Sequence, residues 1–158
     1  MKKTLLLIVL LLFVLTGCKN EEESEKSEYL AMKSDLLAKE EFTDTSDIVC
    51  DITFSLDRLD EEKVTYSVIL NNPKENMNDI KAIVVHNYYT EEVFPTIGLF
   101  DKSTDLLVNG QNDKDSSVEL TGNIETTNDI DNLDLELKIL IEYKTDSGEV
   151  KDIYYKTT

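Results

Sequence analysis

Residues 133–155 read LDLELKILIEYKTDSGEVKDIYY, and this stretch decides the fold class. In residues 133–143 every second residue is apolar, which is the period of a β-strand with one buried face. The polar sequence TDSG at residues 145–148 predicts a tight turn, and residues 150–155 are expected to return as the hairpin partner. The stretch therefore predicts antiparallel strand pairing.

The same two-residue period occurs upstream. Residues 50–56 and 64–70 carry apolar side chains at every second position, with polar residues between them. Residues 80–89 are apolar on both faces, which is typical of a strand covered on both sides. We therefore expect residues 80–89 to form a central strand.

Three weaker segments complete the predicted strand content. They are residues 93–100, where Pro95 favours an edge or a bend, residues 106–108, and residues 118–124, where Gly122 marks a bulge or a close approach. Seven or eight strands in about 110 residues predict a mainly β fold, an antiparallel β-sandwich that is immunoglobulin-like in a general sense. The chain has no Trp, so the Cys…Trp…Cys core of antibody domains is absent, and a small barrel is the alternative.

Helical periodicity is found before the strands. Tyr29, Met32 and Leu36 lie three or four residues apart and predict a short helix and linker over residues 29–45. We expect this apolar face to pack on the domain, with a partner site as the alternative. Residues 19–28 (KNEEESEKSE) contain no apolar residue, so residues 18–28 are predicted to be a disordered acidic tether. Residues 46–158 then form the β-sandwich domain.

The charge balance limits the classes of partner. The chain of 158 residues has 33 acidic and 16 basic side chains, and its formal net charge is −17. Nucleic acid is excluded as an expected partner because phosphates require a basic surface. A cationic partner, such as a basic peptide, a basic protein patch or a divalent ion, fits by charge complementarity. Acidity can equally serve solubility alone.

The N-terminus has the pattern of an export signal. Lys2 and Lys3 precede an unbroken apolar run over residues 5–15. As a helix this run would rise about 16 Å, which is well short of the ~30 Å hydrocarbon core of a bilayer. The pattern therefore predicts a cleaved signal and not a permanent membrane span.

The run ends in Leu15-Thr16-Gly17-Cys18, which resembles the lipobox of bacterial lipoprotein precursors. The resemblance implies that residues 1–17 are a lipoprotein signal peptide and that Cys18 receives diacylglycerol and a fatty acid such as palmitate. It also implies a lipid anchor at the extracytoplasmic face of the cell membrane, with the type of envelope left open. The mature part resembles small uncharacterised lipoproteins with an immunoglobulin-like sandwich, which indicates a location more than an activity.

No catalytic residue is predicted. His86 is the one histidine in the sequence, and Cys50 shares its strand face with apolar residues, so neither has the partners that nucleophilic catalysis needs. We therefore expect a non-enzymatic binding domain with no cofactor other than the covalent lipid. The alternatives are a structural or assembly component of an envelope complex, or an accessory enzyme that acts on envelope polymers through Asp or Glu.

An acidic loop is the weak candidate for a metal site. Asp129, Asp131 and Asp134 lie close together in the sequence NDIDNLD, and calcium prefers several oxygen ligands from such loops. The sequence does not match the spacing of an EF-hand, so solvated turn residues are the alternative interpretation.

Two tyrosine pairs are candidates for binding. Tyr88-Tyr89 and Tyr154-Tyr155 are adjacent residues, and adjacent residues of a strand point to opposite faces. One tyrosine of each pair can therefore be buried and the other displayed, where it would suit contact with a peptide or a sugar. The alternative interpretation is that this β-rich chain uses tyrosine only as a strand former.

Overall fold

Antiparallel strands form two facing sheets, as the alternating sequence predicts. The computed structural model describes residues 21–108 and 117–157. The elements in chain order are α1 (21–38), β1 (Asp51–Arg58), β2 (Lys63–Asn71), β3 (Met77–His86), β4 (Thr96–Ile97), β5 (Thr104–Leu106), β6 (Ser117–Glu125), a 3-10 turn (Ile130–Asn132), β7 (Leu137–Lys144) and β8 (Val150–Lys156).

The strand order confirms the predicted β-sandwich. One sheet has the order β1-β2-β6, and the other has the order β4-β3-β7-β8, with β5 also paired to β3. Every pair is antiparallel. The chain crosses between the sheets three times, from β2 to β3, from β5 to β6 and from β6 to β7. β3 is a central strand, as its apolar residues on both faces predict.

Inward-facing side chains of both sheets fill the space between them. In β2, buried and half-buried residues alternate along the whole strand, which is the pattern of one covered face. The core between the sheets includes Tyr66, Val68 and Leu70 from β2, Ile80, Ala82 and Val84 from β3, Val118, Leu120 and Ile124 from β6, and Ile139 and Ile141 from β7. Burial of one such aliphatic side chain contributes roughly 1.5–3 kcal/mol to folding.

A third layer covers the outer face of the larger sheet. Ile83 and Val85 of β3 point away from the inter-sheet core and pack in a second cluster with Tyr29, Met32 and Leu36 of α1. The spacing of the three helical residues places them on one side of the helix. The prediction that this face packs on the domain is confirmed.

The helix includes residues that the sequence assigns to the tether. Residues 21–28, expected to belong to the tether, are helical, and Glu28 forms an ion pair with Lys81 of β3. Opposite charges four residues apart on a helix attract each other and contribute to its stability. Glu22 and Lys26 also have the i, i+4 spacing that supports a helix.

The last long strand is shorter than predicted. β7 begins at Leu137, and residues 133–136 belong to the connection that carries the chain from β6 in one sheet to β7 in the other. Leu135 of this connection still packs against the core, which explains why its sequence resembles a strand. Arg58 donates hydrogen bonds to the carbonyl oxygens of Thr126 and Asn128, and these bonds fix the start of the connection.

The predicted hairpin after β7 is present. Gly148 has a φ of 83°, and its N–H donates to the carbonyl oxygen of Thr145 over 2.9 Å. Glycine suits this position because other residues adopt a positive φ at a cost. β8 then pairs with β7 over Val150–Lys156.

Strand β1 lies at the edge of the smaller sheet and is less buried than its sequence predicts. Ile52 and Leu56 are half-buried, and Phe54, on the same face, is 50% exposed. Among the described strands β1 pairs with β2 alone, so it lies at the sheet edge, where its inner face is only partly covered.

Candidate functional site

The predicted lipidation site, Cys18, lies outside the described residues, as does the leader before it. In residues 21–108 and 117–157, no helix combines the length and the apolar character needed to cross a bilayer.

The acidic loop does not form a cluster of metal ligands. Asp129, Asp131 and Asp134 are all exposed and lie in or beside the 3-10 turn. Within the described ranges, no three side chains of the His, Cys, Asp and Glu types come together in a way that could hold a metal ion. The calcium hypothesis therefore gains no geometric support.

The first tyrosine pair is divided between core and solvent as expected. Tyr88 is half-buried and packs against the inter-sheet core, whereas Tyr89 is 83% exposed. The Tyr89 hydroxyl donates a hydrogen bond to Glu91 over 3.0 Å. Tyr89 is thus a displayed tyrosine.

The second tyrosine pair differs from the expectation. Tyr155 packs against the inter-sheet core, and Tyr154 packs against the cluster beneath α1, so both are half-buried. The Tyr154 hydroxyl donates to Asp35 of the helix. Neither member of this pair is displayed, because the helix covers the outer face of β8 at Tyr154 and Tyr155 faces the core.

Cys50 is a core residue, in agreement with its apolar neighbours in sequence. It is a free and buried thiol. Burial raises the pKa of Cys50 to about 11, and the negative charge of Asp51 contributes in the same direction. A thiol of this kind is protonated at neutral pH and is a poor nucleophile.

A small cleft brings together polar groups from several elements. It has a volume of about 100 Å³ and opens between β6 and the loop that follows β3. Its lining includes Tyr66 of β2, His86 at the end of β3, Thr90, Glu92 and Phe94 of the loop, and Thr121, Gly122 and Asn123 of β6.

His86 is the most unusual group in this cleft. Its side chain is 7% exposed, and its ring meets those of Tyr66 and Phe94 edge-on at centroid distances of 5.5 and 5.0 Å. Its Nδ1 is buried and has no hydrogen-bond partner among the described residues. Burial lowers the pKa of His86, and a hydrogen bond between its side chain and the backbone of Tyr88 acts in the opposite direction with a smaller effect. The imidazole is therefore neutral at neutral pH and can accept a hydrogen bond.

Tyr66 and Gly122 approach each other closely at the cleft. A Cβ atom on Gly122 would lie 2.4 Å from the hydroxyl oxygen of Tyr66, so only glycine leaves room for this ring. The prediction of a close approach at Gly122 is confirmed. Burial raises the pKa of the Tyr66 hydroxyl, with further contributions from Tyr29 and from the negative charge of Glu92.

A second cleft borders His86 on the side of α1. It has a volume of about 150 Å³ and is lined by Leu37, Val85, His86, Asn87, Glu136 and Lys138. The ammonium of Lys138 already lies beside it and donates to the carbonyl oxygens of Leu37 and Lys39 over 3.5 and 3.4 Å.

A third depression, of about 450 Å³, lies where β2 begins and β6 ends. Its lining consists of exposed and half-buried residues only, namely Glu62, Lys63, Glu125, Thr126 and Thr127. Because its polar groups face water, this depression has less capacity for selective binding than the cleft at His86.

Sequence reasoning considered His86 and Gly122 separately and did not predict the cleft. Tyr66, His86 and Glu92 lie on three different elements, and their proximity depends on how the two sheets face each other. The interruption of an apolar strand by Gly122 was the one local signal in the sequence.

The fold defines the chain as an antiparallel β-sandwich with a helix on one outer face. Comparison with protein-family models, with curated proteins and with solved structures finds no match to this chain.

Proposed function

We propose that this protein is a bacterial lipoprotein held at the extracytoplasmic face of the cell membrane by acyl chains on Cys18. The observation that carries this proposal is the apolar run of residues 5–15 that ends in Leu15-Thr16-Gly17-Cys18. One acyl chain binds a membrane marginally, whereas two or more bind it stably, so a diacylglyceryl group would keep the protein on the membrane.

The β-sandwich serves as a non-enzymatic binding domain for a basic peptide or protein. The formal net charge of −17 supports this proposal, since it favours encounters with cationic surfaces. The packed core between the sheets also supports it, because binding is then confined to clefts and faces at the surface.

The anchoring is tested by fatty-acid labelling in cells, with one cysteine variant as the control for the other. Cys18→Ala is expected to abolish the label and to leave the precursor uncut. Cys50→Ala, which removes the other cysteine of the chain, is expected to keep the label and the cleavage. Normal labelling of the Cys18→Ala variant would contradict the anchor.

The binding role is tested by crosslinking the wild-type protein in intact cells and identifying the captured neighbours by mass spectrometry. We expect neighbours with basic surfaces, and we expect their capture from isolated membranes to weaken as salt is raised, because salt screens exposed charges. Capture of acidic neighbours alone, with no dependence on salt, would contradict the proposed charge complementarity.

A further inference from the structure

We propose that the free edge of β1 binds an extended, basic segment of the partner as an additional strand of the smaller sheet. This inference rests on the proposed function, because it gives the basic partner a defined place of contact. β1 pairs with β2 on one side, and within residues 21–108 and 117–157 no backbone hydrogen bond joins residues 51–58 to any other element. An edge strand directs the N–H and C=O of every second residue away from its sheet, so β1 offers a row of unpaired donors and acceptors.

The regularity of β1 suits the addition of a strand. Its pairing with β2 runs from Asp51 to Arg58 without a shift of register, and its eight residues include no Pro, Gly or Lys. Proteins commonly protect an exposed edge with a bulge, a proline or a lysine, and β1 has none of these. Its basic residue, Arg58, lies at the end of the strand and donates to the carbonyl oxygens of Thr126 and Asn128. The regular backbone before Arg58 is therefore suited to pairing with a peptide.

The inner face of β1 offers apolar contacts to an added strand. Ile52 and Leu56 are half-buried, and Phe54 between them is 50% exposed. In an antiparallel sheet, residues that lie opposite each other on adjacent strands share a face. An apolar residue of the added strand opposite Phe54 would cover this ring and extend the core beyond the present edge.

The other described strands lack this combination of features. β4 and β5 have only two and three residues. The edge of β8 is already paired at Tyr154, whose carbonyl oxygen accepts a hydrogen bond from the N–H of Thr43 over 2.9 Å and whose N–H donates to the Thr43 hydroxyl over 3.0 Å. The large apolar side chains of β6 are all buried, so they leave no apolar contact for an added strand. Among the described strands, β1 alone combines a long unpaired edge with an exposed apolar side chain at its centre.

The outer face of β1 gives this edge a preference for basic strands. Asp51 and Asp57 are exposed on the same face, and neither makes a salt bridge within the described ranges. The amide of Asn72 donates to Asp51 over 2.9 Å, which leaves that carboxylate with further acceptor capacity. Opposite charges on directly opposite residues of adjacent strands stabilise the pairing. A strand with lysines opposite both aspartates and an apolar residue midway between them therefore matches β1 on both faces.

A second copy of this chain fits the edge less well. In an antiparallel pair of two β1 strands centred on Phe54, Asp51 of each copy would lie opposite Asp57 of the other copy. Like charges in this position are destabilising, and the formal net charge of −17 on each copy adds repulsion. The edge is therefore assigned to the basic partner.

The test uses a probe with this pattern, the heptapeptide Lys-Val-Thr-Val-Thr-Val-Lys with blocked ends. The isotope-labelled full chain in detergent micelles is titrated at neutral pH, and the exchange of its backbone amide protons with water is followed by NMR. We expect saturable binding with a dissociation constant of about 0.1–1 mM. At roughly ten times that concentration of peptide, the exchange of alternate β1 amides should slow about tenfold, whereas the exchange of β6 amides should not change.

Three outcomes of this experiment would overturn the proposal. The first is a slowing of exchange that is absent from β1 or equal at β1 and β6. The second is an equal response to Glu-Val-Thr-Val-Thr-Val-Glu, which carries the opposite charge and is expected to give no saturable effect. The third is slowed exchange of β1 amides when the protein is concentrated without peptide, which would assign the edge to a second copy of the chain.

Two charge variants separate the edge from general attraction. Asp57→Asn is expected to weaken binding of the lysine peptide about three- to fivefold, because it removes one exposed ion pair. Glu119→Gln removes the same charge from the outer face of β6, at the opposite edge of the sheet, and is expected to weaken binding less than about 1.5-fold. Equal weakening by both variants would show non-specific attraction and overturn the proposal.

Two phenylalanine variants test the apolar contact. Phe54→Ala is expected to weaken binding about three- to tenfold, because the added strand then buries less apolar surface. Phe100 is 46% exposed and packs beside Tyr29 of α1, so Phe100→Ala is the matched control and is expected to weaken binding less than about 1.5-fold. Equal weakening by both would overturn the proposal. Failure of the peptide titration would leave the labelling of Cys18 and the capture of basic neighbours unaffected, and failure of either of those would leave the titration unaffected.

Discussion

The outer faces of the two sheets differ in composition and in whether another element covers them. On the larger sheet, Ile83 and Val85 project outward and are covered by the helix. On the smaller sheet, the outward side chains include Thr65, Ser67 and Thr121, and the hydroxyl groups of Ser67 and Thr121 lie within hydrogen-bonding distance of each other at 3.1 Å. One sheet is therefore the middle layer of three, and the other is an outer layer.

This difference shows that the sequence of a strand indicates how many of its two faces are covered by another layer. A strand that alternates apolar and polar residues needs one covered face, whereas a strand that is apolar on both faces needs two. β2 is of the first kind and β3 is of the second. The apolar stripe of α1 supplies the additional cover.

The largest expected effect comes from a substitution in the helical layer. Leu36 is fully buried, so Leu36→Ala is expected to lower the free energy of unfolding by about 2–4 kcal/mol through lost burial and a cavity. The neighbouring Leu37 is 51% exposed, so Leu37→Ala is expected to cost much less, about 1 kcal/mol or below. Urea denaturation of the two variants measures both values.

An equal loss of unfolding free energy in these two variants would contradict the structural difference between the outer faces of the two sheets. That result would mean that the helix is not a structural layer and that the outer face of the larger sheet is stable without it.

A second substitution tests the inner face of the smaller sheet. Gly122→Ala places a methyl group where the Tyr66 ring lies, and overpacking of this kind is expected to cost about 1–3 kcal/mol. The thermal midpoint of the variant measures the cost. Thr121→Ala, on the outer face of the same strand, is the matched control. If Gly122→Ala proved as mild as Thr121→Ala, the close contact with Tyr66 would be incorrect.

Lowering the pH tests the burial of His86 in β3. This strand contributes residues both to the core between the sheets and to the cluster beneath α1. The folded pKa of His86 lies below its ordinary value of 6.5, so the unfolded chain binds a proton that the folded chain does not. The free energy of unfolding should therefore fall as the pH decreases below about 6.5. His86→Gln should remove this dependence, which chemical denaturation at a series of pH values can measure. An unchanged pH dependence in the variant would contradict the burial of a neutral imidazole.

Glu75 is expected to change the free energy of unfolding in a second, more acidic pH range. The hydroxyl of Tyr143 and the ammonium of Lys151 hold the pKa of Glu75 below its ordinary value of 4.5. Its contribution to stability is present above that pH and is lost as the pH falls through the lower folded pKa. The loss assigned to His86 should begin at a higher pH, so a Glu75→Gln variant should flatten only the more acidic part of the curve.

The smallest effect is expected on the outer face of the smaller sheet. Ser67→Ala removes an exposed hydroxyl that lies within hydrogen-bonding distance of Thr121 and should change the free energy of unfolding by no more than about 0.5 kcal/mol. Urea denaturation beside the Leu36→Ala variant checks this value. A cost comparable with that of Leu36→Ala would indicate that this face is also covered.

Most of the fold could be predicted from the sequence because the strand period is a local property. The alternation in residues 64–70 and the turn at residues 145–148 are both present where expected. The helical state of residues 21–28 was not predicted, because these residues have no apolar stripe and the contact between Glu28 and Lys81 joins positions far apart in the sequence.

The cleft could not be predicted because it depends on the arrangement of the sheets. Gly122 indicated that something approaches the strand, but nothing local identifies Tyr66 as the group that does so. The half-exposed Phe54 illustrates the same limit, since a strand period assigns a side chain to a face and does not say whether the opposite sheet reaches far enough to cover it.

If Cys18 is acylated as proposed, the packing of α1 on the larger sheet would set the orientation of the sandwich on a lipid surface. Helical residue 21 follows Cys18 by three positions, and three residues of chain extend at most about 10 Å. An acylated Cys18 would therefore hold residue 21 close to the headgroups. Since Glu28 and Leu36 fasten that helix to the larger sheet, the whole body would keep one preferred orientation toward the bilayer instead of tumbling at the end of a long flexible chain.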